Sequence, residues 1–402
     1  MPVGPELHPE TPSAPSVALH RRRGLLLVGI AAAGVGFALT VQVAVNSNFV
    51  ADEMRLAPFQ QGLLEAARES CGIIALGVLA GLAGLAEPLV GAAALALLAV
   101  GLGAYSVVPT FGWLVVASLV WSQGFHVWLP LPHSMTLALA EPGRAGYRLG
   151  QIRSAGAVGA AAGLIAGLTL TRLGAEVRSL FVVAGAAGLL AAGACLAIPR
   201  GIKTPGPRLV FRRKYGLYYL LCFLEGWRKQ IAVAFAGYLL VRKYRAPLIE
   251  MLYLSMGIHA ISWAASPLVG KLIDRVGERR VLVFYFTVLT GLFVCYAAIP
   301  VAGVLYAIYV VDGAMFVFAM ALTTYVNRIA PKSEHTPTLS MGVAMNHVAA
   351  VTMPLAGGLL WRFAGHEWVF YIGAAVAAVS ILPALRIPRH VADSAVGGPE
   401  TS

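Results

Sequence analysis

Counting from the N-terminus, the first residues that could do chemistry are three ionisable side chains within a long apolar stretch. Glu65, Arg68 and Glu69 stand at spacings of three and four residues, so a helix would place all three on one face. Charged side chains are costly in an apolar environment, where they usually pair with one another or face an aqueous cavity. The spacing therefore indicates either a structural ion network or a group that gates or couples the binding of a solute.

A second cluster of the same kind consists of Glu225, Arg228 and Lys229. Glu225 can reach either base on a helix, at i+3 or i+4. The two adjacent bases point about 100° apart, so Glu225 is not expected to neutralise both. Because the planar guanidinium suits a carboxylate or phosphate, we predict that Arg228 contacts an anionic group, with Lys229 and Glu225 in support. An internally paired cluster is the alternative.

Further polar residues lie alone in apolar stretches. Asp312 and Gln123 occupy matching depths of two predicted helices. Asp312 could carry a proton if it lacks a partner, or it could be salt-bridged to Arg228 or Lys229; both interpretations stay open. His126 and His347 could relay protons or could be hydrogen-bonded packing residues.

The composition shows what kind of element must position these side chains. Of the 402 residues, 58% are hydrophobic and only 12% are charged, whereas soluble domains carry about 25% charged residues. A helix needs about 20 mostly apolar residues to cross a bilayer. We therefore predict an all-α integral membrane protein with twelve transmembrane helices. They are expected near 24–46, 61–85, 88–108, 111–139, 147–170, 177–199, 216–241, 248–271, 281–301, 303–327, 338–361 and 367–386.

The net charge of +12 is distributed over short basic clusters between the apolar runs. This distribution is typical of membrane topology and argues against nucleic-acid binding, which uses a continuous basic patch. Because Lys and Arg accumulate in the segments on the side of the N-terminus, we predict a multi-pass protein of the cell membrane with both termini cytoplasmic. Residues 1–22 and 391–402 are predicted to be disordered tails.

An internal repeat divides the chain. Several glycine and proline residues recur at a constant offset and at the same places in corresponding helices. We predict two pseudo-symmetric six-helix halves, 23–200 and 215–390, joined by a cytoplasmic linker, 201–214. Parallel halves of this kind place a solute site near the midplane where they meet. The matched pairs are Pro58 and Pro247, Gly81 and Gly270, Gly124 and Gly313, and Pro142 and Pro331.

The loop after the predicted eighth helix carries a motif rich in glycine and arginine. It reads GKLIDRVGERR and includes Gly270, Asp274, Arg275, Gly277, Arg279 and Arg280. This resembles the signature G-x-x-x-D-R-x-G-x-R-R of the major facilitator superfamily, which lies in the cytoplasmic loop between the second and third helices of a half. The resemblance implies a twelve-helix transporter in which this loop is a gate and Asp274 accepts from arginines or a helix N-terminus. A solvated loop that only sets topology is the alternative.

The resemblance also has departures. The equivalent stretch of the first half, 81–88, lacks the Asp-Arg pair, and Val120 stands where the antiporter branch of the family often has an arginine. These departures weaken the case for drug/proton antiport. The glycine-rich fifth helix, with Gly159 and Gly163, resembles that of the family and implies a close-packed interface on which the halves rock.

Together these features predict a secondary transporter that moves a small polar solute by alternating access, with an organic anion among the candidates. Proton coupling would use Glu69, Glu225 or Asp312. An efflux pump for amphipathic compounds and a non-transporting receptor or assembly protein on a transporter fold remain as alternatives. No catalytic motif or metal-ligand spacing occurs, so we predict no enzyme, no cofactor and no metal site. We expect a monomer whose partners are the solute, membrane lipids and protons.

Overall fold

The protein is described by a computed structural model that covers residues 14–203 and 210–388. The described residues form twelve long helices and no β-strand. Ten of the twelve are long and apolar enough to cross a membrane, and the other two, α2 and α7, carry the two charge clusters. The predicted all-α, twelve-helix architecture is confirmed.

The helices divide into two sets of six, with short breaks inside α4, α7 and α10. The first set comprises α1 (Ala14–Asn48, continued by a π-helical turn, Phe49–Glu53), α2 (Pro58–Gly81), α3 (Glu87–Ala104), α4 (Phe111–Trp128 and Leu131–Leu139), α5 (Ala145–Arg172) and α6 (Val177–Leu196). The second set comprises α7 (Gly216–Ile231, a π-helical turn Ala232–Ala236, and Gly237–Arg242), α8 (Leu248–Val276), α9 (Glu278–Ala298), α10 (Ala302–Met315, a 3-10 turn Phe316–Ala319, and Met320–Ile329), α11 (Lys332–Ala364) and α12 (His366–Leu385).

The N-terminal boundary differs from the expectation. Helix α1 begins at Ala14, so residues 14–22 are helical although they were predicted as part of a disordered tail. The rest of that tail, the predicted C-terminal tail and residues 204–209 of the linker lie outside the described residues. The described start of the linker pairs with the first half, because Glu87 N donates to Ile202 O at 2.8 Å.

Matching backbone turns support the predicted repeat. Arg55 lies between α1 and α2 with φ 51°, and Arg245 lies between α7 and α8 with φ 57°. A non-glycine residue rarely adopts this left-handed conformation, since contact between Cβ and the backbone disfavours it. Its recurrence at the same place in both sets of helices indicates that the two halves share one design.

Glycines of α5 pack mainly within the first half. A Cβ added to Gly159 would lie 1.9 Å from Ala33 O, and one added to Gly163 would lie 2.7 Å from Phe37 O, both on α1. Only Gly167, further along α5, faces the second half, at Leu252 of α8. The glycine-rich face therefore joins α5 to α1, and the prediction that it forms the interface between the halves was wrong for most of its length.

The halves meet most closely along α2 and α11, at the end of the bundle that lies away from the two termini. We call this the distal end, and the opposite one the termini end. A Cβ added to Gly62 would lie 2.1 Å from Pro354 O, and one added to Gly358 would lie 2.8 Å from Pro58 O. Only glycine permits backbones to approach so tightly. The distal end is thus sealed by direct contact between main chains.

Hydrogen bonds reinforce this seal. Asn48 Nδ2 donates to Ala246 O at 2.9 Å, which connects the end of α1 to the end of α7. Tyr238 Oη donates to Leu56 O at 2.6 Å across the same boundary. Each bond uses a side chain of one half and a main-chain carbonyl of the other, so the seal depends on few side-chain partners.

The termini end is open between α5 and α8. Near the distal end these helices touch, since Arg172 hydrogen-bonds Tyr253. Toward the termini end they part around an opening of about 910 Å³, whose wall includes Arg153 and Trp263. The bundle is therefore closed at one end and open at the other.

Candidate functional site

A cavity of about 190 Å³ lies between the two halves. Five helices form its wall: α1, α2, α7, α8 and α10. The resemblance to the family implied a lining from α1, α4, α7 and α10, so α2 and α8 are additions and α4 does not contribute. The lining residues with polar side chains are Gln42, Asn46, Ser47, Glu65, Arg68, Ser255, His259, Tyr309 and Asp312.

Helix α1 supplies neutral amides to this wall. Gln42 Nε2 donates to Asn46 Oδ1 at 3.1 Å, one helical turn away. The other amide atom, Gln42 Oε1, is buried and has no hydrogen-bond partner among the described residues. A buried acceptor without a donor costs free energy, which a solute carrying an N–H or O–H group would recover. These residues were not predicted from the sequence, because the candidates for the solute site were, apart from Gln123, ionisable groups; two amides four residues apart in an apolar helix were the available signal.

Helix α8 adds a second polar strip. Ser255 Oγ donates to Met251 O at 2.9 Å, and His259 Nδ1 lies 2.9 Å from Ser255 O. If Nδ1 carries the proton in that bond, Nε2 of His259 is left as an acceptor. Tyr309 of α10 and the apolar side chains of Ile258 and Phe316 also line the cavity. The wall thus offers several groups that can hydrogen-bond a neutral solute.

Arg228 does not line the cavity. Its guanidinium is fully buried (0% exposed) and donates to Glu225 and, at 2.7 Å, to Tyr285 Oη. On its other side, Nη1 lies 3.8 Å from Asp312 Oδ1, and the ring of Phe316 stacks at 4.8 Å. Two carboxylates and a phenol surround Arg228, although its Nε and Nη1 form no hydrogen bond among the described residues. The geometry matches the internally paired alternative and not the predicted anion contact.

Lys229 points away from this cluster, as the angle between neighbouring helical positions requires. Its Nζ donates to Asn346 Oδ1 of α11 at 3.0 Å, and Asn346 Nδ2 donates to Cys222 O at 3.3 Å. Lys229 therefore joins α7 to α11 within the second half, while Glu225 pairs with Arg228 and accepts a hydrogen bond from Tyr285 Oη at 2.9 Å.

The first cluster forms an ion network at the junction of the halves. Arg68 pairs with Glu65 and lies 4.0 Å from Glu69. Gln61 Nε2 donates to Glu65 Oε1 at 3.4 Å, so the buried Glu65 has two partners on its own helix. Glu69 instead faces the second half, because its Oε2 lies 3.3 Å from His347 Nδ1 on α11. Glu65 and Arg68 thus reach the cavity wall, whereas Glu69 belongs to a contact between α2 and α11.

Helix α4 contributes a histidine to that contact. His126 Nδ1 lies 2.8 Å from Ser122 O, and its ring centroid lies 5.0 Å from that of His347. Gln123, by contrast, does not line the cavity, and its Nε2 has no partner within the described part of the chain. The structure therefore brings together Glu69, His126 and His347 but does not unite Gln123 with Asp312.

The predicted gating loop is a tight turn at the termini end. Gly270, Asp274 and Arg275 occupy the last turns of α8, Gly277 turns the chain with φ 80°, and Arg279 and Arg280 lie in the first turn of α9. Asp274 is exposed and makes no ion pair within 14–203 and 210–388.

The ion pair of this loop uses a different residue from the one predicted. Glu278 is buried, and its Oε2 lies 3.1 Å from Arg328 Nη2 at the end of α10. In this conformation Glu278 therefore takes the acceptor role expected of Asp274. Glu278 occupies a variable position of the signature, so its role was not apparent from the sequence.

The described end of the linker is held to α11. Glu334 Oε2 lies 2.7 Å from Lys214 Nζ and 3.6 Å from Arg212 Nε, and it accepts a hydrogen bond of 2.6 Å from Tyr215 Oη. Glu334 precedes the membrane-spanning part of α11, which begins at Pro337. The hydrogen bond from Lys214 lowers the pKa of Glu334 below its usual range.

Comparison with known proteins shows which family and which solved structures the chain resembles. Residues 218–401 match the sequence model of the Major Facilitator Superfamily. A variant of the nucleoside transporter NupG superimposes with a TM-score of 0.76, covering 90% of this chain and 99% of that one at 14% identity. The second half of the chain thus matches this superfamily by sequence, and 90% of the chain shares the fold of a solved transporter. The prediction that it is a transporter and not an enzyme is thereby confirmed.

A second solved structure of this superfamily fold gives the same picture. A bacterial homolog of the human lysosomal transporter Spinster, in an inward-facing and occupied conformation, superimposes with a TM-score of 0.72. It covers 93% of this chain and 97% of its own, again at 14% identity. No curated protein matches the sequence. At this identity the likeness establishes the fold, and the solute must be argued from the cavity.

Proposed function

We propose that this protein is a secondary active transporter of a small, neutral, hydrogen-bonding solute, which it binds in the cavity between its halves. The observation that carries the proposal is the unpartnered Gln42 Oε1 on a wall of amide, hydroxyl and imidazole groups. The charged residues favour a neutral solute over the organic anion considered from the sequence. Arg228 is enclosed by its partners, and Arg68 is paired with Glu65 and lies close to Glu69.

The size of the cavity favours a small solute over an amphipathic drug. Sites for drug-sized ligands typically measure about 300–1,000 Å³, whereas this cavity measures about 190 Å³. Its wall combines hydrogen-bonding groups with the flat rings of Tyr309 and Phe316. Nucleosides, which join ring nitrogens to hydroxyl groups, are the first class to test, and a similar fold occurs in a nucleoside transporter.

Alternating access supplies the transport step. The distal end is sealed by Gly62 against Pro354 and by the Asn48 and Tyr238 hydrogen bonds, while the termini end is open between α5 and α8. Rocking of one half against the other would open the first end and close the second around the same cavity.

Asp312 is the carboxylate best placed to couple this step to a proton. It lies on the cavity wall and faces Arg228 at 3.8 Å, so its charge affects both the solute site and the buried cluster. Protonation would leave Arg228 balanced by Glu225 alone, with Tyr285 hydrogen-bonded to both. A neutral Asp312 could then donate a hydrogen bond to the solute.

The test is ligand-dependent thermal stabilisation of the purified protein, followed by uptake into proteoliposomes with and without a proton gradient. A ligand that binds the folded state must raise its apparent stability. We expect nucleosides to stabilise the wild type and the Gln151→Ala control, which alters an exposed amide on α5, and to lose this effect in Gln42→Ala.

Two outcomes would contradict the proposal. Stabilisation by organic anions that disappears in Arg68→Gln would establish an anion transporter. Stabilisation by hydrophobic cations alone would favour efflux of amphipathic compounds.

A further inference from the structure

Three side chains from three helices converge outside the solute cavity. Glu69 of α2, His126 of α4 and His347 of α11 each direct one ligand atom to a common point, and these atoms all lie within 4.8 Å of one another. None of the three lines the central cavity. Two of them belong to the first half and one to the second, so the cluster spans the boundary between the halves.

The chemistry of this set is that of a transition-metal site. Two imidazoles and a carboxylate with an open fourth position are a ligand set that Zn²⁺ adopts in proteins. Bond lengths of about 2.0–2.2 Å set neighbouring ligand atoms of a tetrahedral ion about 3.3 Å apart. The distance of 3.3 Å between Glu69 Oε2 and His347 Nδ1 already meets this requirement. The ligand atom of His126 lies within 4.8 Å of the other two and must come closer to them to share one ion.

Two details of the imidazoles favour a metal over simple packing. His347 is 9% exposed, and its Nδ1 forms no hydrogen bond among the described residues but faces Glu69 Oε2, the other proposed ligand, at 3.3 Å. His126 Nδ1 lies 2.8 Å from Ser122 O, which fixes that nitrogen as the donor and leaves Nε2 as a ligand. A carbonyl that orients a metal-binding histidine in this way is the usual second partner of such a ligand.

We propose that Glu69, His126 and His347 bind a divalent transition metal such as Zn²⁺, which connects the two halves. Arg68, at 4.0 Å from Glu69, and Lys229, within electrostatic range of it, oppose a cation, so we expect a micromolar affinity. A bound ion would hold α2 and α4 to α11 and so resist the relative movement that alternating access needs. Zn²⁺ is therefore expected to inhibit transport. No metal site was predicted from the sequence, because these ligands are far apart along the chain.

The experiment is Zn²⁺ and Co²⁺ titration of the full-length protein purified without a polyhistidine tag. We expect one Zn²⁺ per chain by calorimetry and a Co²⁺ absorption spectrum of tetrahedral intensity. Affinity should fall more than tenfold in His347→Gln, His126→Gln and Glu69→Gln. The affinity should be unchanged in His133→Gln, which alters an exposed histidine of α4, the helix that also carries His126. Binding that survives all three ligand substitutions would overturn the proposal.

A wild-type measurement keeps the test decisive if a variant does not fold. X-ray absorption of the Zn²⁺-loaded protein should show scattering from two imidazoles, and a spectrum without imidazole scattering would overturn the proposal. In proteoliposomes, Zn²⁺ should inhibit uptake by the wild type and not by His347→Gln. Metal binding is measured without any solute, so it can fail or succeed independently of the nucleoside proposal.

Discussion

Arg228 Nη1 and Asp312 Oδ1 lie 3.8 Å apart between α7 and α10. The pair is removed from water, since Arg228 is completely buried and Asp312 nearly so. Glu225 completes the arrangement on the other side of the guanidinium, and Tyr285 bridges Arg228 and Glu225. One buried cation is thus shared by two carboxylates. A change in the charge of any one of the three groups therefore leaves the other two out of balance.

Replacement of Arg228 tests whether the cluster is structural. Arg228→Gln leaves Glu225 and Asp312 facing each other without a cation, and loss of one partner of a buried pair typically costs about 3–5 kcal/mol. We expect a markedly lower midpoint of thermal unfolding in detergent. Arg153→Gln, at an exposed position of α5, serves as the control and should leave the midpoint unchanged. Normal stability of Arg228→Gln with lost anion binding would restore the anion-contact interpretation.

Replacement of Asp312 tests proton coupling. Asp312→Asn keeps the shape of the side chain and cannot change its charge, so a proton gradient should no longer drive accumulation. Exchange of labelled for unlabelled solute, which requires no net proton movement, should persist. The two rates are measured in proteoliposomes at several pH values. Gradient-driven accumulation equal to that of the wild type would remove Asp312 from the coupling mechanism.

The distal seal predicts a contrast between two glycines of α2. In Gly62→Ala the new Cβ would meet Pro354 O at 2.1 Å, while Gly77→Ala adds a Cβ with nothing within 4 Å. Overpacking of this kind costs about 1–3 kcal/mol. We expect Gly62→Ala to lower stability and to loosen the distal end, and Gly77→Ala to do neither. Labelling of a cysteine introduced at the distal end reports the accessibility, and equal labelling in both variants would contradict the seal.

The contacts of Glu334 with Lys214, Arg212 and Tyr215, which we call the Glu334 clasp, hold the end of the linker to α11. We expect the stability of this attachment to depend on pH. Lys214 lowers the pKa of Glu334 through a hydrogen bond, so the stabilisation is complete above the ordinary pKa of Glu, about 4.3, and is lost as pH falls through the lowered value. Hydrogen exchange of residues 210–216 at neutral pH should be faster in Glu334→Gln than in the wild type. It should be unaffected in Glu176→Gln, an exposed carboxylate at the distal end. Equal protection in Glu334→Gln would show that the clasp does not order the linker.

Sequence reasoning succeeded where a contact lies within one helix. The pairs Glu65 with Arg68 and Glu225 with Arg228 follow from a spacing of three residues, and both are present in the structure. Contacts between helices depend on rotation and depth, which periodicity does not supply. Asp312 was considered as a partner of Arg228, but Tyr285 was not, and the choice between pairing and anion binding was not decided by the sequence.

The solute cavity was also beyond the sequence for a physical reason. Neutral amides and hydroxyls are tolerated in membrane helices, so residues such as Gln42 and Ser255 do not stand out as ionised groups do. Their importance depends on which face of each helix turns inward. The cavity wall contains α2 and α8 and lacks the expected α4. This difference also belongs to the present conformation, which is closed at the distal end.

Each half of the molecule has six helices, so each half enters and leaves the bundle at the same end. Because each half crosses the membrane an even number of times, its chain starts and ends on the same side. The end of the first half can therefore be joined to the start of the second while both halves keep the same orientation in the membrane. The join needs only to run along one face of the membrane, and the predicted linker, 201–214, is the sequence between α6 and α7. A gene cut within that stretch would consequently yield two fragments with compatible insertion directions, and the protein could be supplied to a membrane as two separately made pieces.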